Sequence, residues 1–185
     1  MPMLEQRLQQ QFFECADLQY QAAESLDRPL GEALQALLGA ITAGGKVLVA
    51  GTGRAEVLAR HMVMLLVDGF ERERPPLAAC ALGDRALDKQ LQALGLPGDV
   101  LLLIDGSAGD DGLARRALAA AHGKDMTVVA LCAAGAGWSD ALAETDVAVA
   151  IAHERAARVM ELQLLMLHAL CDALDLQLMG EQDPP

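Results

Sequence analysis

The chain has 185 residues, of which 53% are hydrophobic, and this is enough for one domain with a sizeable core. Its formal net charge of -12 argues against direct binding to nucleic acid or to an anionic membrane, because both need a basic protein surface. Charges or glycines interrupt every apolar run and no signal-peptide core is visible, so the cytoplasm is the expected compartment.

Two helices are predicted before the first strand, over Met3–Ser25 and Pro29–Thr42. Pro29 suits the start of a helix, and the pair Gly44-Gly45 suits the end of the second one. The first helix, and the long one predicted at the end of the chain, are longer than a single layer over a sheet requires. Part of each is therefore predicted to pack against another subunit.

Five short runs that are almost continuously apolar come next, which is typical of strands buried on both faces of a parallel sheet. Helical patterns separate them, and a long helix closes the chain. This alternation predicts a three-layer α/β/α sandwich with a five-stranded parallel sheet, of the flavodoxin-like kind. The predicted strands are Lys46–Ala50, Leu77–Leu82, Asp99–Ile104, Thr127–Leu131 and Asp146–Ile151, and the helices are Arg54–Val67, Leu87–Leu94, Leu113–His122, a short one near Ser139–Ala143, and His153–Met179.

The whole chain, residues 1–185, is predicted to be one domain. Residues 1–43 would be oligomerisation helices, residues 46–151 the α/β core, and residues 153–179 the final helix.

The first predicted strand runs into Gly51-Thr-Gly53 at the start of a helix. Ligands of open parallel sheets bind beyond the carboxyl ends of the strands, and glycines there let backbone N–H groups approach a phosphate. Tight turns from a strand to a helix also use this pattern without any ligand, so both interpretations stay open.

The third predicted strand runs into a second turn, Asp105-Gly-Ser-Ala-Gly-Asp-Asp111. Ser107 is its one hydroxyl, and a carboxylate roughly 5 Å from a phosphate charge would cost about 3 kcal/mol at an effective dielectric near 20. A metal could reverse that sign, but capping of the next helix by Asp110 or Asp111 is the favoured interpretation. The segment therefore has the frame of a phosphate cradle with most of its chemistry removed.

His61 and His168 each fall inside an apolar helical pattern. A histidine in such a pattern is more often a core or interface residue than a ligand. Trp138, the one tryptophan, is predicted to fill a gap or an interface. The four cysteines are scattered without CxxC spacing, which predicts buried free thiols and no zinc cluster; they are Cys15, Cys80, Cys132 and Cys171.

Several motifs, in order over nearly the whole chain, together resemble the SIS-domain proteins, in the branch that contains phosphoheptose isomerase and DiaA. The resemblance implies the same sandwich fold and a homotetramer built through the N-terminal helices. The motifs are Lys46-Val-Leu-Val-Ala-Gly-Thr-Gly53, His61 with Gly69-Phe-Glu-Arg-Glu-Arg-Pro75, Leu96-Pro-Gly-Asp-Val-Leu-Leu-Leu-Ile104, Met126-Thr-Val-Val-Ala-Leu131, Arg158-Val-Met-Glu161 and His168-Ala-Leu-Cys-Asp172.

The resemblance also shows where this chain departs from the isomerases. Their catalytic glutamate is replaced by Leu65, a glutamine by Met160, and a phosphate-contacting serine by Ala55, whereas the catalytic histidine is retained as His168. The zinc that some relatives hold with His61, a glutamate and a glutamine would lose two ligands here. We therefore expect no zinc and no other cofactor, and His61 and His168 are interpreted as vestigial.

These departures predict a protein that is not an enzyme. The main hypothesis is a non-catalytic scaffold of the DiaA type, which binds the replication initiator DnaA and promotes its assembly at the origin. Leu178 and Met179 would contribute to the partner surface, with simple packing of the helix end as the alternative. Two other hypotheses are a phosphoheptose isomerase acting on sedoheptulose 7-phosphate and a non-catalytic sugar-phosphate sensor, which would use Gly51, Thr52, Gly53 and Ser107.

Overall fold

The computed structural model describes residues 2–106 and 111–181. Five strands form one sheet in the order β2-β1-β3-β4-β5, and every neighbouring pair is parallel. The strands are β1 (Val47–Gly53), β2 (Ala79–Leu82), β3 (Val100–Gly106), β4 (Thr127–Ala133) and β5 (Val147–Ile151). The helices are α1 (Pro2–Ser25), α2 (Asp27–Thr42), α3 (Glu56–Asp68), α4 (Leu87–Leu94), α5 (Asp111–His122) and α6 (Ala156–Met179), with a short 3-10 helix at Ser139–Ala141.

Side chains that alternate along the strands build two apolar cores, one on each face of the sheet. One core packs against α1, α2, α3 and α6, and the other against α4, α5 and Trp138. Successive residues of a strand point to opposite faces, so each buried strand must be apolar throughout. The predicted three-layer α/β/α sandwich with five parallel strands is confirmed.

Two central strands are longer at their carboxyl ends than predicted. The β1–β3 ladder continues through the pairs Thr52↔Asp105 and Gly53↔Gly106, whereas the strands were expected to end at Ala50 and Ile104. Because these residues pair in the sheet, the predicted phosphate-binding residues begin inside regular structure.

The two edge strands differ from the expectation of strands buried on both faces. Only Leu82 is buried in β2, and β5 alternates between buried and less buried positions. An edge strand has a neighbour on one side alone, and here its outer surface is only partly covered. Cys80 on β2 is exposed for this reason.

The cysteines therefore divide into two classes, and the expectation of buried thiols is wrong for half of them. Cys80 is exposed and Cys15 is half-buried. Cys132 and Cys171 are buried, and burial raises the pKa of these two thiols to about 11 and about 12 respectively.

The order of the strands places a crevice at the carboxyl ends of β1 and β3. The chain leaves β1 toward β2 on one side and leaves β3 toward β4 on the other, so the connections diverge between these strands. Ligands of doubly wound sheets bind at such a switch point. Within the part of the chain that the structure describes, no helix has the length and apolar character needed to cross a membrane.

Candidate functional site

The turn from β1 to α3 explains the glycines of the first predicted loop. A Cβ atom on Gly51 would lie 2.2 Å from the carbonyl oxygen of Ala55, and one on Gly106 would lie 2.6 Å from the Ala55 nitrogen. Gly53 has φ +52°, in the left-handed region that favours glycine. The close approach of this turn to β3 therefore requires Gly51 and Gly106, with or without a ligand.

A buried hydrogen-bond network lies beneath the turn. The Thr52 hydroxyl donates to Oδ1 of Asp105 over 2.5 Å, and the Trp138 indole N–H donates to Oδ2 over 2.9 Å. Asp105 is 8% exposed and Trp138 is 1% exposed. The interpretation of Asp105 as a loop carboxylate is wrong, because it lies in β3 and its carboxylate binds side chains inside the fold. The expectation that its charge repels a phosphate stays a prediction. Trp138 fills the core, as predicted.

The structure brings together only part of the predicted phosphate-binding set. Thr52 is buried and Gly53 is exposed. Ser107 and Asp110 lie outside the described residues, and α5 begins at Asp111. The prediction that Gly51, Thr52, Gly53 and Ser107 bind an anion stays a prediction.

A cavity of about 80 Å³ opens beside this network, at the carboxyl ends of β3 and β4 and the start of α6. Arg54 brings a cationic side chain to it, Asp105 and Glu154 bring carboxylates, and His153 brings an imidazole. Val159 and Met160 give it apolar walls. Gln163, fully buried, completes the lining on the side of α6. The cavity is thus mixed in character, with one buried amide.

His153 adopts a defined orientation at this cavity. Its Nδ1 accepts a hydrogen bond from the backbone N–H of Arg155 over 3.0 Å. In the neutral ring, an accepting Nδ1 leaves the hydrogen on Nε2, which is then a donor. α6 begins at Ala156, after this turn, and not at His153 as predicted.

His61 and His168 meet between α3 and α6. Their Nε2 atoms are 2.9 Å apart, so one ring donates a hydrogen bond and the other accepts it. Burial, and then the charge that His168 carries when protonated, lower the pKa of His61 below its usual value. The ring of Phe70 packs on His168 with the ring centroids 5.2 Å apart. Two histidines 107 residues apart therefore form a paired donor and acceptor.

A buried ion pair fixes the two helices that carry these histidines. Nε of Arg74 lies 2.5 Å from Oδ1 of Asp175, and both side chains are 1% exposed. The same guanidinium donates to the carbonyl oxygens of Leu65 and Leu66, each over 2.8 Å. Those carbonyls belong to the last turn of α3, and each also accepts a backbone hydrogen bond, from Gly69 and Leu77 respectively. Arg74 therefore joins the end of α3 to α6.

The positions at which this chain departs from the isomerases lie around the same helices. Leu65 comes one turn of α3 after His61 and is buried in the core. Met160 is half-buried in the cavity wall. Leu178 is half-buried and Met179 is exposed, both in the last turn of α6.

The histidine pair does not fit a zinc site. Zinc sites take three or four protein ligands, and the pair supplies two nitrogens. In the described ranges, no group of three or more His, Cys, Asp or Glu residues is placed to hold a metal ion. The prediction that the chain uses no zinc remains a prediction, and no step is routed through a metal.

Sequence reasoning missed two buried polar residues of this region, Gln163 and Arg74. The signal for Gln163 was one amide between Leu162 and Leu164 in an apolar helical pattern. Arg74 lies in a motif that was noted, but its partner Asp175 is 101 residues away. Neither contact can be derived from spacing in the sequence.

Comparison with known proteins gives concordant results. The SIS domain family matches residues 11–133 of the chain. A protein named phosphoheptose isomerase from Methylibium petroleiphilum is 51% identical, and the match covers 99% of each chain. A phosphoheptose isomerase structure from Francisella tularensis has TM-score 0.85 and 31% identity, covering 95% of this chain and 99% of its own. The structure of phosphoheptose isomerase GmhA from Neisseria gonorrhoeae has TM-score 0.84 and 31% identity, and the match covers 93% of this chain and 98% of that one.

These matches correct the functional prediction. The hypothesis of a non-catalytic scaffold that binds DnaA is wrong. Relatives that match nearly the whole chain, one of them at 51% identity, are named phosphoheptose isomerase. The expectation that the chain is not an enzyme also conflicts with these relatives, because they are named as enzymes.

Proposed function

This chain belongs to the SIS domain family, and we propose that it isomerises a sugar phosphate, with a phosphorylated heptose as its substrate. The observation that carries the proposal is the contact between His61 and His168, in a chain that is 51% identical to a named phosphoheptose isomerase. The retained pair supplies a hydrogen-bond donor and an acceptor where the family resemblance locates the chemistry.

Isomerisation of an aldose to a ketose takes a proton from the carbon beside the carbonyl and returns one to the carbonyl carbon. A second proton leaves the hydroxyl oxygen and joins the former carbonyl oxygen. A positioned general base and general acid each contribute roughly 10²–10⁴-fold to such a reaction. In the neutral pair, one ring has an unprotonated nitrogen that can take the carbon-bound proton. One N–H of the pair lies in the hydrogen bond between the two rings, so the Nδ1–H of the accepting ring is the group that can serve the oxygen atoms.

The phosphate group would bind at the start of α3. This helix begins at Glu56 after Ala55, without a side-chain cap. Its N-terminal N–H groups and dipole favour an anion, and Arg54 adds a cationic side chain at the same end. These groups would take the place of the serine hydroxyl that is missing at Ala55.

Turnover is tested by incubating the protein with sedoheptulose 7-phosphate in D₂O and analysing the products for isomerised sugar and carbon-bound deuterium. We expect isomerisation by the wild type and a roughly 10²–10⁴-fold lower rate for His168→Gln. His122→Gln is the matched control, because His122 lies in α5 on the other face of the sheet and should keep the wild-type rate. No turnover by the wild type, or equal rates for the two variants, would contradict the proposal.

A second candidate is binding of a sugar phosphate without turnover. The buried, apolar Leu65 favours it, since no carboxylate lies one turn after His61 on α3. Calorimetry with the same ligand separates the two candidates. Binding without product formation identifies the second, and product formation identifies the first.

We also propose that the chain self-associates through α1. Leu8 and Phe12 lie one turn apart on this helix and are 65% and 76% exposed, and Met3, Leu4, Phe13 and Tyr20 are exposed as well. A contiguous apolar surface of this kind is typical of an interface between proteins. Light scattering should show an oligomer for the wild type and a smaller species for the double variant Leu8→Glu, Phe12→Glu, with Gln10→Glu as the control. A monomeric wild type would exclude this proposal.

A further inference from the structure

Gln163 has one half of its amide bound and the other half without a partner. Its Nε2 donates to the carbonyl oxygens of Asp105 and Leu131, over 2.9 and 3.0 Å. Since both partners only accept, the orientation of the amide is fixed. Oε1 is buried and, among the described residues, has no hydrogen-bond partner.

Three other buried side-chain atoms of the described residues lack partners, but each belongs to a charged group that is paired through another atom. They are Arg158 Nε, Glu161 Oε2 and Asp175 Oδ2. Gln163 is the neutral member of this set, and it lines the cavity at the carboxyl ends of the strands. A buried acceptor left unpaired costs about 1–3 kcal/mol, so a donor is expected there in the working protein.

The cavity restricts what that donor can be. At about 80 Å³ it has room for two or three water-sized groups, and not for a whole sugar phosphate. Val159 and Met160 give it apolar walls, which suit carbon–hydrogen surface. Asp105 and Glu154 also line the cavity, and Arg54 brings the opposite charge. A hydroxyl group on a carbon chain is a neutral donor, so it suits an acceptor beside both the apolar walls and these charges.

We propose that Gln163 Oε1 accepts a hydrogen bond from one hydroxyl group of the substrate, and that Gln163 is a specificity-determining residue. This inference rests on the proposed function, because it assumes that the ligand is a sugar phosphate. Gln163 and His168 are five residues apart in α6, so their side chains are offset by about 7.5 Å along the helix axis and by about 140° around it. The hydroxyl therefore belongs to a part of the sugar several bonds from the carbons that exchange the proton.

The test is calorimetric binding of sedoheptulose 7-phosphate and of analogues that each lack one hydroxyl group. For the wild type, we expect one analogue of the series to bind at least about tenfold more weakly than the parent. Gln163→Met removes the acceptor, so the parent and that analogue should bind this variant with equal affinity. Gln177→Met, an exposed glutamine on the same helix, is the matched control and should keep the wild-type ratio.

Gln163→Met also loses both bonds to the strands, so Gln163→Asn is a second variant that keeps the amide but shortens its reach. It too should lose the discrimination. If the wild type binds the parent and every deoxy analogue equally, this inference is overturned while the proposed function stands. Discrimination that persists unchanged in both Gln163 variants would overturn it as well. If the wild type neither binds nor converts any sugar phosphate, the proposed function fails together with it.

Discussion

Two aspartates bracket β3, and they are used in different ways. Asp99 precedes the strand at the amino end of the sheet and is 2% exposed, while Asp105 lies at its carboxyl end and is 8% exposed. Asp99 binds the backbone N–H groups of Lys46 and Leu96 and the Lys46 ammonium. Asp105 binds the side chains of Thr52 and Trp138, and its carbonyl oxygen accepts from Gln163.

The difference separates structural from functional use of polar groups. At the amino end, the carboxylate joins two chain segments through two main-chain donors and the Lys46 ammonium, and these contacts lie away from any cavity named above. At the carboxyl end, side chains are fixed by one another next to a cavity, and one buried acceptor among the described residues there remains unpaired. Rigid support beside an unpaired group is typical of a binding site, because the ligand completes the hydrogen bonds.

Removal of the carboxylate at the amino end should give the largest loss of stability. Asp99→Ala leaves Lys46 and two backbone N–H groups without their acceptor, so we expect about 3 kcal/mol less free energy of unfolding. Urea unfolding measures it, with the exposed Asp172→Ala as a control that stays within about 0.5 kcal/mol. Turnover under folding conditions should stay at the wild-type level. If Asp99→Ala lost more turnover than folded protein, the amino end of the sheet would have a functional role as well, and the contrast with the carboxyl end would be wrong.

Loss of one donor at the carboxyl end should cost less. Trp138→Phe keeps most of the ring but removes the N–H that binds Asp105, and hydrogen bonds to charged groups contribute about 1.5–3 kcal/mol. We expect a loss of about 2 kcal/mol by urea unfolding. Unchanged stability would show that this network does not support the carboxyl end.

The stability that Asp99 provides should depend on pH. Burial alone would raise the pKa of this carboxyl. The hydrogen bonds that it accepts from Lys46 and from the backbone N–H of Leu96, together with the charge of Lys46, lower the pKa overall. A carboxyl with a lowered pKa in the folded state stabilises above its usual pKa of about 4, and this contribution is lost as the pH falls through the folded value. The stability difference between wild type and Asp99→Asn should therefore shrink below about pH 4. A difference that grows on acidification would contradict the sign of the shift.

The smallest expected effect is on the titration of the histidine pair. Burial, followed by the charge of His168, lowers the pKa of His61, so its ring signals in NMR should titrate below the usual midpoint of about 6.5. His168→Gln removes the second cause and leaves the first. The midpoint of His61 should then rise part of the way and stay below about 6.5. A wild-type midpoint above that usual value would exclude the buried arrangement.

The sequence predicted the architecture well because apolar runs and helical periods are local patterns. Every predicted strand and helix is present, with bounds displaced by a few residues. The contacts of the site were not predictable in this way. Asp105 looked like a loop carboxylate because Thr52 and Trp138, which bind it, are 53 and 33 residues away. The pairing of His61 with His168 and of Arg74 with Asp175 likewise depends on how α3 and α6 cross.

The predicted function failed for a related reason. The replacement by Leu65 was interpreted as loss of activity, whereas the structure keeps the two histidines in contact without a glutamate there. Single replacements at a site describe what one side chain can no longer do. They do not describe what the remaining side chains do together.

Helix α6 carries three of these contacts on one rigid element: Gln163 to the strands, His168 to α3, and Asp175 to Arg74. A residue inserted into a helix rotates all later residues by about 100° and advances them by about 1.5 Å. One residue inserted between Gln163 and His168 would therefore turn both His168 and Asp175 away from their partners. Length variation among homologues should be absent from this segment, and deletions should be tolerated only outside Gln163–Asp175.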